Sequence, residues 1–124
     1  MPITAAPLYT LYVGNRDFLP FSAAEETGII AIVGQRFPSF TILPGRGFFE
    51  GRELPTLLIQ IASHQRDAVL ATCNDLGRAL DQRWIGLSET GSYTSVRINF
   101  TQTPPNLNTS VTDREAQIAR AGNE

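Results

Sequence analysis

The residues best suited to chemistry in this chain cluster in one short stretch. Residues 44–53 read Pro-Gly-Arg-Gly-Phe-Phe-Glu-Gly-Arg-Glu. Glycines at 45, 47 and 51 allow left-handed or closely approaching backbone, whose exposed amides can meet an anion. Arg46 and Arg52 add planar guanidinium forks that clamp phosphate or carboxylate bidentately. The expected ligand-binding set is therefore Gly45, Arg46, Gly47, Phe49, Gly51, Arg52 and Glu53. A plainer reading makes the stretch a hairpin, its arginines paired with Glu50 and Glu53 and its phenylalanines buried between subunits. His64 joins the ligand-binding set because it follows a long apolar run, where clefts open, and titrates in the range of acid–base work. Beside Ser63 it equally suits a helix cap. No residue is assigned as catalytic.

Other single residues are absorbed by structure. Cys73 falls on an apolar helical stripe and reads as a core thiol. Glu25 and Glu26 fit the first turn of a helix, where its dipole favours acids. Pro2, exposed by loss of Met1, would resemble the general base of tautomerase-like enzymes, but five residues separate it from the first strand. One histidine and one cysteine exclude a disulfide within the chain and a multi-histidine metal centre. No metal ligand set and no cofactor are expected.

Composition narrows the function classes. The chain has 124 residues, 42% hydrophobic and 18% charged, which suits one domain with a real core. All ten basic residues are arginines. The absence of lysine excludes a Schiff-base lysine and a P-loop lysine. A net charge of -2 argues against a generally basic nucleic-acid surface, so nucleic acid is not an expected partner. No positive leader with an apolar core opens the sequence, and no apolar run reaches membrane-spanning length, so the expected location is cytoplasmic. Asn108-Thr109-Ser110 is then an accidental glycosylation match.

The elements that must position these residues follow from periodicity. Leu8 to Val13 reads as a strand, ended by Gly14-Asn15-Arg16-Asp17. Ser22 and Glu25 form a capping box, and Ile29, Val33 and Phe37 recur at helical spacing, predicting a helix over about 23–36 that Pro38 stops. Phe40 to Leu43 is a short strand. Thr56 to Ala62 is the strongest strand, apolar on both faces and hence central. Ser63 is the expected cap of a second helix with Val69, Cys73, Leu76 and Leu80 facing inward. Trp84 to Leu87 is an edge strand or a covering loop. Tyr93 to Phe100 alternates as a half-buried strand.

The order is strand, helix, strand, strand, helix, strand. The expected fold class is α+β: a ferredoxin-like βαββαβ sandwich, with a four-stranded antiparallel sheet and two helices on one face. Residues 1–100 form the domain. Residues 101–124 form a polar tail with a second capping box, Thr112 and Glu115, and a short helix docking on a neighbouring subunit. Helices on one face leave the other face of the central strand bare, so a homodimer or homotrimer is expected to cover it.

Residues 40–61, Phe40-Thr41-Ile42-Leu43 running through the glycine-aromatic-glycine arm to Leu57-Leu58-Ile59-Gln60-Ile61, resemble the central hairpin of PII-like proteins and of small uncharacterised ferredoxin-like families. That resemblance implies a mobile arm beside an intersubunit cleft that binds a nucleotide or another small anion. The chain departs from true PII proteins in lacking lysine, which sets aside ATP binding of their type. The leading expectation is a non-catalytic, oligomeric small-ligand-binding or regulatory protein recognising an anionic metabolite or nucleotide-like molecule. The alternatives are a protein-binding adaptor or inhibitor module, and a small cofactor-free enzyme of tautomerase- or isomerase-like type using His64 or Pro2.

Overall fold

A computed structural model describes residues 5–101. The expectations for Pro2, for Asn108 and for the tail helix beginning at Thr112 fall outside the described residues. Seven elements follow one another: β1 (Leu8–Gly14), α1 (Ala23–Gly34), β2 (Thr41–Phe49), β3 (Arg52–Ala62), α2 (Arg66–Leu80), β4 (Trp84–Glu89) and β5 (Ser92–Arg97). The strands make one antiparallel sheet in the order β2-β3-β1-β4-β5.

The expected α+β class with two helices is present, but the sheet has five strands rather than four. The fourth and fifth strands arise from one tight turn. Thr90 and Gly91 take φ of 44° and 82°, which folds β4 back on β5 with Ser88 opposite Tyr93. Trp84 to Leu87 is thus a full strand beside β1 and not a covering loop. The alternation that predicts a strand from Tyr93 to Phe100 outruns β5, which ends at Arg97; the Ile98 amide still donates to the Arg83 carbonyl at 2.9 Å while its side chain packs on α2. Its side chain occupies the space that a Cβ on Gly77 would need.

Local signals position both helices. Ser22 and Glu25 complete the capping box, the Glu25 amide donating to Ser22 Oγ at 3.0 Å and the Ser22 amide donating to Glu25 Oε1 at 2.7 Å. The second helix starts differently from expectation. Its N-cap is Gln65, whose side chain makes no capping bond, while Ser63 Oγ accepts from the Gln65 amide at 2.9 Å. Ser63 therefore stabilises the turn before the helix, and the first-turn amides of α2 are left without a side-chain cap.

Strand alternation gives the sheet two unlike faces. Tyr9, Leu11, Val13, Leu57, Ile59, Ile61, Ile85 and Leu87 point inward and join Ile29 and Val33 of α1 and Val69, Cys73 and Leu76 of α2 in one core. Arg36 and Asp75 tie the two helices together through a largely buried ion pair at 2.6 Å. Cys73 is fully buried, as its stripe position implies, and burial pushes its thiol up to about 12. The opposite face presents Thr10, Tyr12, Leu58, Gln60, Gly86, Trp84, Tyr93 and Arg97, and neither helix packs on it.

Candidate functional site

The arm predicted as a glycine-punctuated loop is a regular ladder. Every residue from Thr41 to Phe49 pairs with a residue between Arg52 and Gln60, and Glu50 and Gly51, with φ of 52° and 81°, close a two-residue turn. Two of its glycines serve that packing. A Cβ at Gly45 would sit 2.7 Å from Leu58 Cδ1, and one at Gly47 would sit 2.7 Å from Thr56 Oγ1. Pro44 is tolerated because β2 is an edge strand. Pairing with β1 ends at Thr56, so the tip stands clear of the rest of the sheet, with Phe48 and Phe49 exposed.

The two arginines of this arm do not converge. Arg46 lies on the helix side of the hairpin and meets Glu53 bidentately, Nε to Oε2 at 2.8 Å and Nη2 to Oε1 at 3.0 Å. The pairing raises the Arg46 guanidinium and lowers the Glu53 carboxyl, both chiefly through the shared hydrogen bonds. Arg52 alternates to the other side, where its guanidinium carbon stacks 3.9 Å from the centroid of the Phe18 ring. Phe49 shares that side with Gly45 and Gly47. His64 is exposed and lies beyond the far end of the eleven-residue β3, about 33 Å of strand away from the tip. Within one chain the predicted set therefore splits into two places.

The place around His64 gathers more chemistry. The start of β1 and the ends of β3 and β4 meet there under the N-terminus of α2. An open depression of about 470 Å³ is lined by His64, Gln65, Arg66, Asp67 and Ala68. Arg66 grips Glu89 at the end of β4, Nε to Oε1 at 2.8 Å and Nη2 to Oε2 at 2.9 Å. Glu89 is itself opposite Tyr9 across the β1–β4 ladder. The ion pair holds Glu89 below the usual carboxylate range, mainly through the Arg66 hydrogen bonds, and raises Arg66 in return. The Tyr9 phenol, nearly buried, adds a smaller electrostatic contribution to Arg66.

This arrangement supplies three complementary groups at one end of the sheet. The uncapped first turn of α2 is a positive helix end suited to a carboxylate or phosphate. Arg66 adds a cation beside it, and Glu89 is an ionised acceptor. Arg66 and Glu89 are not among the site residues expected from sequence. Arg66 and Glu89 are 23 positions apart, on a helix start and a strand end. The Thr90-Gly91 turn was the one local signal that could have placed Glu89 next to a sheet end.

No family model matches the chain, and no curated protein matches it. Two solved structures share the fold. A phage SAM lyase in complex with S-methyl-5'-thioadenosine superposes with a TM-score of 0.57 at 17% identity, over 78% of this chain and 94% of that one. A phage SAM lyase in the apo state gives 0.51 at 16% identity, over 77% and 91%. These likenesses correct the leading expectation. A non-catalytic binding or regulatory protein is not what shares this architecture: the matched proteins are enzymes, and the small-enzyme alternative fits them better.

Proposed function

We propose that the chain is a small enzyme acting on an S-adenosylmethionine-type substrate at the α2 end of the sheet. The observation that carries this reading is the fold shared along nearly the whole of a lyase bound to S-methyl-5'-thioadenosine. The order β2-β3-β1-β4 with helices on one face supports a ferredoxin-like unit, to which β5 is an added edge strand. The exposed Phe48 and Phe49 support the arm as a contact to another copy in a homodimer or homotrimer.

The chemistry of such a substrate suits the groups present. S-Methyl-5'-thioadenosine keeps the adenosine and the methylated sulfur, so forming it breaks the bond between the sulfonium sulfur and the aminobutyryl carbon. The sulfur takes the bonding pair and becomes neutral. The carbon is completed by its own carboxylate oxygen or by loss of a neighbouring proton. In the proposed site the first-turn amides of α2 and Arg66 hold the amino-acid carboxylate. Glu89, held ionised by Arg66, accepts from the ammonium. The depression is large enough for a nucleoside-sized molecule.

Incubation of the purified chain with S-adenosylmethionine, followed by mass spectrometry for S-methyl-5'-thioadenosine, tests the proposal. Time- and protein-dependent product is expected. Absence of product together with absence of calorimetric binding of S-methyl-5'-thioadenosine overturns it.

A further inference from the structure

The two edges of the sheet are not equally finished. In an antiparallel ladder only every second pair exchanges hydrogen bonds, so a strand's backbone groups alternate between its two sides. The Thr90-Gly91 turn has two residues, which makes its flanking pair, Glu89 and Ser92, a bonded one. Six positions on, the Ile98 amide donates to the Arg83 carbonyl at 2.9 Å, in phase with that pair. Ser92, Thr94 and Val96 therefore bond to β4, and the amides and carbonyls of Tyr93, Ser95 and Arg97 face the open edge. Among the described residues no strand pairs with them.

The opposite edge is interrupted. The Glu50-Gly51 turn makes Phe49 and Arg52 a bonded pair, so Ile42, Pro44 and Arg46 face outward from β2. Pro44 has no amide to offer there. β5 has no proline, no bulge and no inward-pointing charge, features that keep an edge from pairing.

The sequence of β5 also suits pairing with itself. A two-fold axis normal to the sheet keeps both helix layers on one side and opposes residues of the same face. With the three outward-bonding residues matched, the axis passes Ser95. Tyr93 then opposes the partner's Arg97, and Thr94 opposes the partner's Val96. Tyr93 and Arg97 both lie on the face without helices, and Tyr93 is 62% exposed. Among the described residues Arg97 meets no carboxylate, and its guanidinium carbon stands 5.7 Å from the centroid of the Trp84 ring. In this register each Arg97 lies between Trp84 of its own chain and the partner's Tyr93, with a ring on either side. Val96, at the rim of the core, gains a β-branched neighbour. A slip of two residues sets Arg97 against the partner's Gly91 or the partner's Ser95 and loses the second ring.

We propose that β5 pairs antiparallel with β5 of a second copy of this chain, joining the two sheets across a two-fold axis at Ser95. β5 is the edge opposite the β2–β3 arm, so this contact is separate from any that the arm makes. It goes beyond the enzyme reading and does not rest on it. An extended segment of another protein would satisfy the same amides, but the matched ring and arginine on one strand favour self-pairing.

Light scattering of the full chain should give twice the chain mass. Ser95→Pro removes an open-edge amide and no β4 bond, so it should give a monomer with unchanged far-ultraviolet circular dichroism. In Ser95→Cys the new thiols meet at the axis, with Cα atoms about 5.5 Å apart. Mild oxidation should link them into a covalent dimer on a non-reducing gel, while buried Cys73 takes no part. Thr41→Cys, on the other edge, should not link. Arg97→Ala should raise the dimer dissociation constant about ten-fold, since two ring contacts are lost. A wild-type monomer at every concentration overturns the proposal. So does a wild-type dimer whose Ser95→Cys form does not link, or links no better than Thr41→Cys; this cross-link decides even where Ser95→Pro does not fold.

Discussion

Two arginine–glutamate pairs, one at each end of the molecule, have nearly the same geometry and very different surroundings. Arg46–Glu53 spans the β2–β3 hairpin, and Arg66–Glu89 joins the start of α2 to the end of β4. Each is bidentate, and each lowers its glutamate and raises its arginine. Yet the Glu53 side chain is 45% exposed near the tip of a hairpin, whereas that of Glu89 is 18% exposed under a helix terminus and beside a buried phenol. The first pair sits in open solvent and contributes little beyond hairpin register. The second stands where water is partly displaced and helix amides converge. Bidentate geometry alone does not mark a functional site; what surrounds it does.

The largest expected effect separates the pairs by activity. Glu89→Gln should lower S-methyl-5'-thioadenosine formation about 100-fold, while Glu53→Gln should leave the rate within two-fold. Equal effects in a turnover assay would erase the distinction. A smaller effect separates the turns beside them. Thr90, β-branched and at φ 44°, is strained in a way that Glu50 at φ 52° is less so. Thr90→Asn should raise stability by about 0.5–1 kcal/mol in urea unfolding, more than Glu50→Asn does.

How much of this was legible follows from the range of each signal. The Ser22–Glu25 box spans three residues and fixes where α1 begins, so it could be read directly. The apolar stripe from Val69 to Leu76 and the interior position of residues 56–62, beside the central β1, were readable for the same reason. The strand count fell one short at Trp84 to Leu87, a run too short for its period to tell a strand from a covering loop, because its place beside β1 is set by long-range pairing. The segment at 44–53 was legible as a hairpin but not as two opposed faces, since that depends on the register of Gly47 with Leu54. Glu89 carried no local mark at all; its partner is supplied by a helix that begins 23 residues earlier.

The smallest effect is on pH dependence. Glu53 and Glu89 are both lowered in the folded chain, so their contributions are present above the ordinary carboxylate range and are lost as pH falls through their folded values. The melting temperature should therefore decline on the acid side. Glu89→Gln should flatten that decline slightly more than Glu53→Gln, as followed by circular dichroism.

Cys73 has a consequence outside catalysis and binding. It is the sole thiol, shut inside α2 against the core, and its high pKa keeps it protonated. In the closed molecule it has neither access nor thiolate, so a thiol reagent can reach it only when the helix leaves the sheet. The rate of its alkylation is thus a clock for opening of the whole core, built into the chain without any added label.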